Sequence, residues 1–247
     1  MPVAVQRRID LKGCYNFRDL GGYPTADGRS LRWRTLFRSD ALHHLTSRDA
    51  TRVRDVLSVK VAIDLRTTAE TDAYPASGVE GCRHLPLLEE MKRTEGPVVR
   101  VDRSPEATAA RYVAMLQTGG GRMAQALRVL ARVDSLPAVF FCAAGKDRTG
   151  LVAAVVLGLL GVPDDTIVED YALTSQSIGD VIARLRTSPV YGPGMDGVPQ
   201  TEFDPAPATM QRVLNTVRAE YGSVRGYARS IGVDDTTLGH LRENLLD

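Results

Sequence analysis

The sequence predicts an α/β fold: a short central, mostly parallel sheet flanked by helices, with an N-terminal hairpin and a helical C-terminal extension. Three observations carry this. Val59–Leu65 and Ala138–Cys142 are short apolar runs with little alternation, the pattern of strands buried on both faces. Gly145–Gly150 interrupts the second run and a helical pattern resumes over Thr149–Leu160, giving a strand, tight glycine turn and helix in succession. Capped helix starts stand between and after the strands, so the two kinds of element alternate.

Taken in order, residues 9–37 contain Gly21-Gly22 and Ala26-Asp27-Gly28, and the Asp-Gly step signals a hairpin between Tyr23-Pro24 and Leu31–Phe37, hence a small N-terminal sheet. Thr46 stands three residues before Asp49 and caps a helix over 47–57. The strand Val59–Leu65 follows, with Asp64 and Arg66 at its C-terminal end. Thr67 and Glu70 repeat the capping-box spacing, then come a strand at Cys82–Leu87 and helices at 105–117 and 121–133. The helix at 149–160 is ended by Gly161 and Pro163, and Asp164 opens further helical pattern to Thr187. Pro189, Pro193, Pro199, Pro205 and Pro207 make 188–207 a loop, and helices at 206–219, 223–230 and 235–246 finish the chain. One domain over 1–247 is expected, with a hairpin region at 9–37, a candidate lid at 164–207 and C-terminal helices at 206–247.

Composition excludes several classes. The 247 residues are 43% hydrophobic and 25% charged, which argues against extended disorder. Thirty-one basic residues against 30 acidic ones leave no positive field for nucleic acid or a membrane surface. The longest apolar stretch, Leu151–Leu160, is about half of the ~20 residues that span a bilayer. Met1–Lys12 lacks the apolar core of a secretory signal, although export by another route stays open. Cys14, Cys82 and Cys142 are too scattered for a disulfide framework and read as reduced thiols of a cytoplasmic protein, Cys14 and Cys82 as buried ones. His43, His44, His84 and His240 lack zinc-ligand spacing, so neither a metal nor a cofactor is expected. Oligomeric state is not legible.

The chemistry concentrates in Cys142-Ala143-Ala144-Gly145-Lys146-Asp147-Arg148-Thr149. A loop of this length between strand and helix can curl so that its N–H groups and the helix N-terminus converge on one anion. The same positive focus stabilises a thiolate, and a cysteine so placed beside an arginine can drop from a pKa of about 8.5 to roughly 3.5–7.5. Arg148 supplies a planar fork for two phosphate oxygens. Thr149 could donate a hydrogen bond to the sulfur when it leaves. A lone cysteine reads as a core thiol, but the arginine, glycine and strand-helix context favour a nucleophile. A nucleotide-binding loop is rejected, since Asp147 rather than Ser or Thr follows Lys146 and the earlier glycine is missing.

This octapeptide resembles the Cys-x5-Arg-Thr signature of cysteine-dependent protein tyrosine and dual-specificity phosphatases. With Asn16-Phe17-Arg18-Asp19-Leu20-Gly21-Gly22 and Phe37-Arg38-Ser39-Asp40 it is similar, more narrowly, to the bacterial group that includes the secreted mycobacterial protein tyrosine phosphatase B. The resemblance implies a phosphatase-like fold and a phosphocysteine mechanism without metal. Cys142 would attack phosphorus, Arg148 and the amides of Ala143, Ala144, Gly145, Lys146 and Thr149 would hold the oxygens, and an acid would protonate the leaving group. Asp147 ranks first for the acid, Asp64 second and Asp102 third. The implied substrates are phosphotyrosine proteins, with phosphoserine, phosphothreonine or phosphoinositides besides; Lys146 is either a contact for extra phosphates or a solvated rim charge. Asn16, Arg18 and Asp19 could back the loop, although a locked polar turn is the plainer reading. The sequence departs from the group at Phe141, where a histidine usually stands, so thiolate stabilisation and turnover should be weaker. Two alternatives follow: a phosphate-binding module with little or no catalysis, and a sulfurtransferase, which would not need Arg148 at this spacing.

Overall fold

The computed structural model describes residues 6–75, 79, 81–88 and 101–247. Its sheet has five strands: β1 (Arg18–Asp19), β2 (Leu36–Ser39), β3 (Val61–Asp64), β4 (Cys82–His84) and β5 (Ala138–Phe141), in the order β1-β2-β5-β3-β4. β1 is antiparallel to β2, and every other pairing is parallel. The sheet is thus mixed but mostly parallel, and ten α-helices flank it among the described residues.

Both faces of the sheet are apolar because alternate residues bury in opposite directions. Leu36, Val61, Ile63, Ala138 and Phe140 join the larger core, which contains α3 (Pro105–Thr118), α4 (Gly120–Leu130) and α5 (Asp147–Leu160). Phe37, Ala62, Val139 and Phe141 meet Ile9, Leu11, Phe17, Leu42, Val53 and Leu57 on the other face. That second layer includes α1 (Ser47–Thr51), begun by the Thr46/Asp49 capping box and continued as a π-helical turn over Arg52–Val56. The predicted Thr67/Glu70 box likewise opens α2 (Thr68–Ala73).

The N-terminal region departs from the expected separate sheet. A hairpin does form around Asp27-Gly28, with Leu31 N–H donating to Tyr23 and a bridge between Pro24 and Ser30. Its second arm then runs on into β2, which pairs with β5 along Leu36–Ser39 and is buried throughout. Short antiparallel and parallel strands of this length share one composition, so the residues alone did not reveal that this arm belongs to the central sheet.

α5 is apolar on nearly all sides and buried over Thr149–Leu157. Gly161 ends it at φ +89°, a conformation that favours glycine, with Val162 N–H bonded to Leu157 O. Around it pack α6 (Asp164–Ala172), α8 (Pro207–Tyr221), α9 (Val224–Ser230) and α10 (Asp235–Leu245). Of the stretch 164–207, α6 therefore sits in the core. α7 (Ser175–Arg186) and two short 3-10 turns at Gly192–Gly194 and Gln200–Phe203 lie elsewhere.

The register brings Ser39, Asp64 and Phe141 level, so the C-terminal ends of β2, β3 and β5 form one edge. In open α/β sheets this edge is where ligands bind. The Cys142–Thr149 segment leaves the sheet there.

Candidate active site

Cys142 follows β5 directly, is 1% exposed and belongs to the larger core. The loop is shaped by what its carbonyls do. Ala143 O accepts from Ala41 N (3.2 Å), Ala144 O from Asn16 Nδ2 (3.2 Å), and Gly145 O from both Asn16 Nδ2 (3.2 Å) and Arg38 Nη2 (2.8 Å). In a planar trans peptide the N–H points opposite to the carbonyl, so the N–H groups of Ala144, Gly145 and Lys146 turn to the inside. Together with the N-terminus of α5 they make an anion cradle.

Gly145 holds φ +66°, and a Cβ there would lie 2.7 Å from the backbone of Ser39 and Asp40. Gly145→Ala should therefore cost about 3 kcal/mol of stability, which urea denaturation would measure; a loss under 1 kcal/mol would mean that the turn relaxes freely.

Arg148 is aimed by Glu70. The carboxylate accepts both Nη1 and, at 2.8 Å, Nη2 of the guanidinium, while also accepting from Thr67 N (2.6 Å) and the Tyr191 hydroxyl (2.7 Å). Burial alone would raise the Glu70 pKa, but Arg148 and these donors outweigh it and bring it down to about 2. For Arg148, burial is likewise overcome by the bonds to Glu70 and the nearby Cys142 sulfur, so its cationic form is reinforced. The Thr149 hydroxyl is fully buried and has no partner among the described residues.

Asp147 opens α5 and accepts a hydrogen bond from Tyr112, whose hydroxyl also lies 3.0 Å from that of Tyr171. Lys146 Nζ stands 3.5 Å from the Asp147 carboxylate and donates to Phe203 O at 3.0 Å. Burial acts to raise the Asp147 pKa; the Lys146 charge and the Tyr112 hydroxyl lower it by more. Asp64 differs. Its buried carboxylate accepts Arg66 N, Nε and Nη2 at 2.7–3.1 Å and so tethers Arg66. Asp102 is exposed and accepts from Ser104 N at 2.8 Å. Phe141 sits in the second core layer with its ring 5.6 Å from the Arg66 guanidinium.

The match of the tyrosine phosphatase family model covers residues 9–247. The chain belongs to the tyrosine phosphatase family. Among curated relatives it is 28% identical to the triple specificity protein phosphatase PtpB of Mycobacterium tuberculosis, over 96% of this chain and 98% of that one. It is 27% identical to a tyrosine-protein phosphatase of Nostoc commune, over 76% of this chain and 67% of that one. The protein is thus a protein-tyrosine-phosphatase-type hydrolase acting on phosphorylated substrates, and the resemblance read from the three motifs holds across nearly the whole chain.

Within this phosphatase, Asn16 and Arg18 do more than lock a turn, which corrects the plainer reading. Asn16 Nδ2 carries two loop carbonyls, and Arg18 Nη1 fixes its Oδ1. Only Asp19 follows that reading, accepting from Gly21 N (2.8 Å) and Arg34 N (2.9 Å). Asp40 receives Tyr15 N, Asn16 N and Arg184, and so ties the Asn16 segment to α7. Cys82 is exposed rather than buried, because β4 is the sheet's edge strand; Cys14 is buried as expected.

Several residues of the site carried no signal of their role. Glu70 was legible as a cap but not as the partner of Arg148, and Tyr112, Tyr191 and Asp170 stood out in no motif. α7 and the residues after it meet the phosphatase loop directly: Ile178, Val181, Ile182, Leu185, Met195 and Phe203 form one apolar cluster with Ala143 and Ala144. Among the described residues, no helix is long and apolar enough to cross a membrane.

Proposed function

We propose that Cys142 Sγ attacks the phosphorus of a phosphate monoester, forming an S–P bond as the P–O bond to the leaving group breaks. Asp147 gives that oxygen its proton. Water then attacks the phosphocysteine, Asp147 takes a proton from it, and the thiolate departs with phosphate. Arg148 and the inward N–H groups hold the three equatorial oxygens. The observation that carries this reading is the loop itself: a buried cysteine followed by three carbonyls, of Ala143, Ala144 and Gly145, that are bonded to Ala41, Asn16 and Arg38, and near it an arginine locked by a buried carboxylate. Thr149, with its unpartnered hydroxyl, is the donor we assign to the departing sulfur.

Asp147 is favoured over Asp64 as the acid because both Asp64 oxygens are engaged by Arg66. A bound phosphate dianion raises the Asp147 pKa, offsetting Lys146 and Tyr112 in the complex. Phosphotyrosine is the first substrate, since a phenolate leaves more readily than an alkoxide. Phosphoserine, phosphothreonine and phosphoinositides follow, the last supported by the Lys146 ammonium beside the cradle and a range wider than phosphotyrosine by the words triple specificity in the mycobacterial relative's name.

We read the segment from α7 to Phe203, within one domain, as a lid. Its Tyr191 and Phe203 engage Glu70 and Lys146, and its apolar side rests on Ala143 and Ala144, so it must move to admit a protein substrate. The three free thiols favour a reducing, cytoplasmic setting.

The test is phosphate release from a small aryl phosphate, with chelator present, by the wild type and by Cys142→Ser. Release by the wild type that falls to background in the variant is expected. A fresh, reduced wild type that binds tungstate yet releases nothing would leave the binding-module reading instead, and Phe141→His would then be the first reversion to make.

A further inference from the structure

We propose that Asp170 is a positioning residue for the phosphate cradle, acting through two arginines on the direction of the loop's amides. It rests on the phosphatase reading above.

Asp170 lies on α6 and is 1% exposed, remote in sequence from the loop. Its Oδ1 accepts Arg18 Nε (3.2 Å) and the Tyr23 hydroxyl (3.0 Å), its Oδ2 accepts Arg38 Nη1, and its backbone carbonyl accepts Arg18 Nη2 (2.8 Å). Arg38 then reaches the loop directly and Arg18 reaches it through Asn16, while Arg18 Nη2 also donates to Thr174 Oγ1 (3.3 Å). Arg38 Nη2 takes Gly145 O directly, and Arg18 Nη1 fixes Asn16 Oδ1, which turns the Asn16 amide so that Nδ2 takes Ala144 O and Gly145 O.

Both routes start at one carboxylate and meet on Gly145 O, the Arg18–Asn16 route holding Ala144 O as well. The carbonyl directions set the Gly145 and Lys146 N–H groups on the anion side, so Asp170 decides where two donors of the cradle point. Arg38 Nε has no partner among the described residues, which leaves Asp170 and Gly145 O as the groups that orient this guanidinium. A purely structural role would need a charge-balancing carboxylate but not this convergence. Two buried guanidinium groups beside one carboxylate also explain why neither arginine can swing elsewhere without leaving a charge unpaired.

The experiment is Asp170→Asn in the full chain, read by the tungstate dissociation constant, by kcat and KM for an aryl phosphate, and by the thermal midpoint. Tungstate stands in for the phosphate group without turnover. We expect tungstate affinity to weaken roughly tenfold or more and kcat to fall with it, beyond any loss attributable to unfolded protein. Tyr23→Phe, which removes one bond to the same carboxylate and leaves both arginines in place, should stay within about twofold on tungstate. If Asp170→Asn fails to fold, Arg38→Lys keeps the charge but cannot span Asp170 and Gly145 O, and the same weakening is expected. Tungstate affinity and kcat unchanged in the folded variant, with only the thermal midpoint lowered, would overturn the proposal. A wild type that neither binds tungstate nor releases phosphate would instead overturn the phosphatase reading beneath it.

Discussion

Arg148→Lys should lower kcat on an aryl phosphate by about a thousandfold while leaving the thiol of Cys142 in place. Lysine keeps the positive charge, so a role limited to attracting the dianion would survive the change. What it loses is the fork. Arg148 meets Glu70 with two parallel N–H groups, an arrangement that fixes the guanidinium plane and leaves its remaining edge for two phosphate oxygens. An ammonium cannot satisfy Glu70 and the phosphoryl group at once, and charge builds on the equatorial oxygens only as the P–O bond opens, so the loss falls on kcat more than on KM. Glu70 would also be left buried with half its partners, which should cost the protein several kcal/mol if the carboxylate stays ionised. Glu70→Gln should give an intermediate effect, aiming Arg148 less well but leaving it present. A variant Arg148→Lys within tenfold of the wild type would show that the guanidinium is not the clamp.

Why Arg148 was legible and Glu70 in this role was not is a matter of sequence separation. The octapeptide from Cys142 to Thr149 carries its nucleophile, turn glycine and cation in one contiguous stretch, and local backbone geometry alone brings them together. Glu70 also has a local duty, bonding Thr67 N as the N3 residue of a capping box, and that signal absorbed it completely. Its second duty, to a guanidinium 78 residues away, exists only because β3 and β5 are neighbours with Asp64 level with Phe141. The same holds for Asp170, which reaches Arg18 and Arg38 across 152 and 132 residues. Strands and helices buried on repeating faces were readable nearly to their ends. The membership of β2 in the central sheet was not, because the four residues Leu36–Ser39 are too few to distinguish a hairpin arm from a parallel strand. Phe141 illustrates a middle case: its departure from the group's usual histidine was visible, whereas its place against Arg66 and the second core layer required the fold.

Asp147→Asn should divide substrates by their leaving groups. With a phenyl or alkyl phosphate, whose oxygen departs poorly unless protonated, kcat should drop by about 10²- to 10⁴-fold; with a nitrophenyl phosphate, whose oxygen leaves as the anion, the drop should be far smaller. The pH profile gives the sign. A general acid must be protonated, so wild-type kcat on the poor leaving group falls as pH rises through the Asp147 pKa of the complex, and this descending limb should vanish in Asp147→Asn. The Tyr112 hydroxyl donates to the carboxylate and thereby favours its ionised form, one of the causes that hold its pKa below the usual range. Tyr112→Phe removes that bond, raises the Asp147 pKa, and should move the limb to higher pH without abolishing it. Asp64→Asn should leave the limb where it is, since that carboxylate is committed to Arg66. A limb that disappears in Asp64→Asn and persists in Asp147→Asn would exchange the two roles and require Arg66 to release Asp64 when substrate binds.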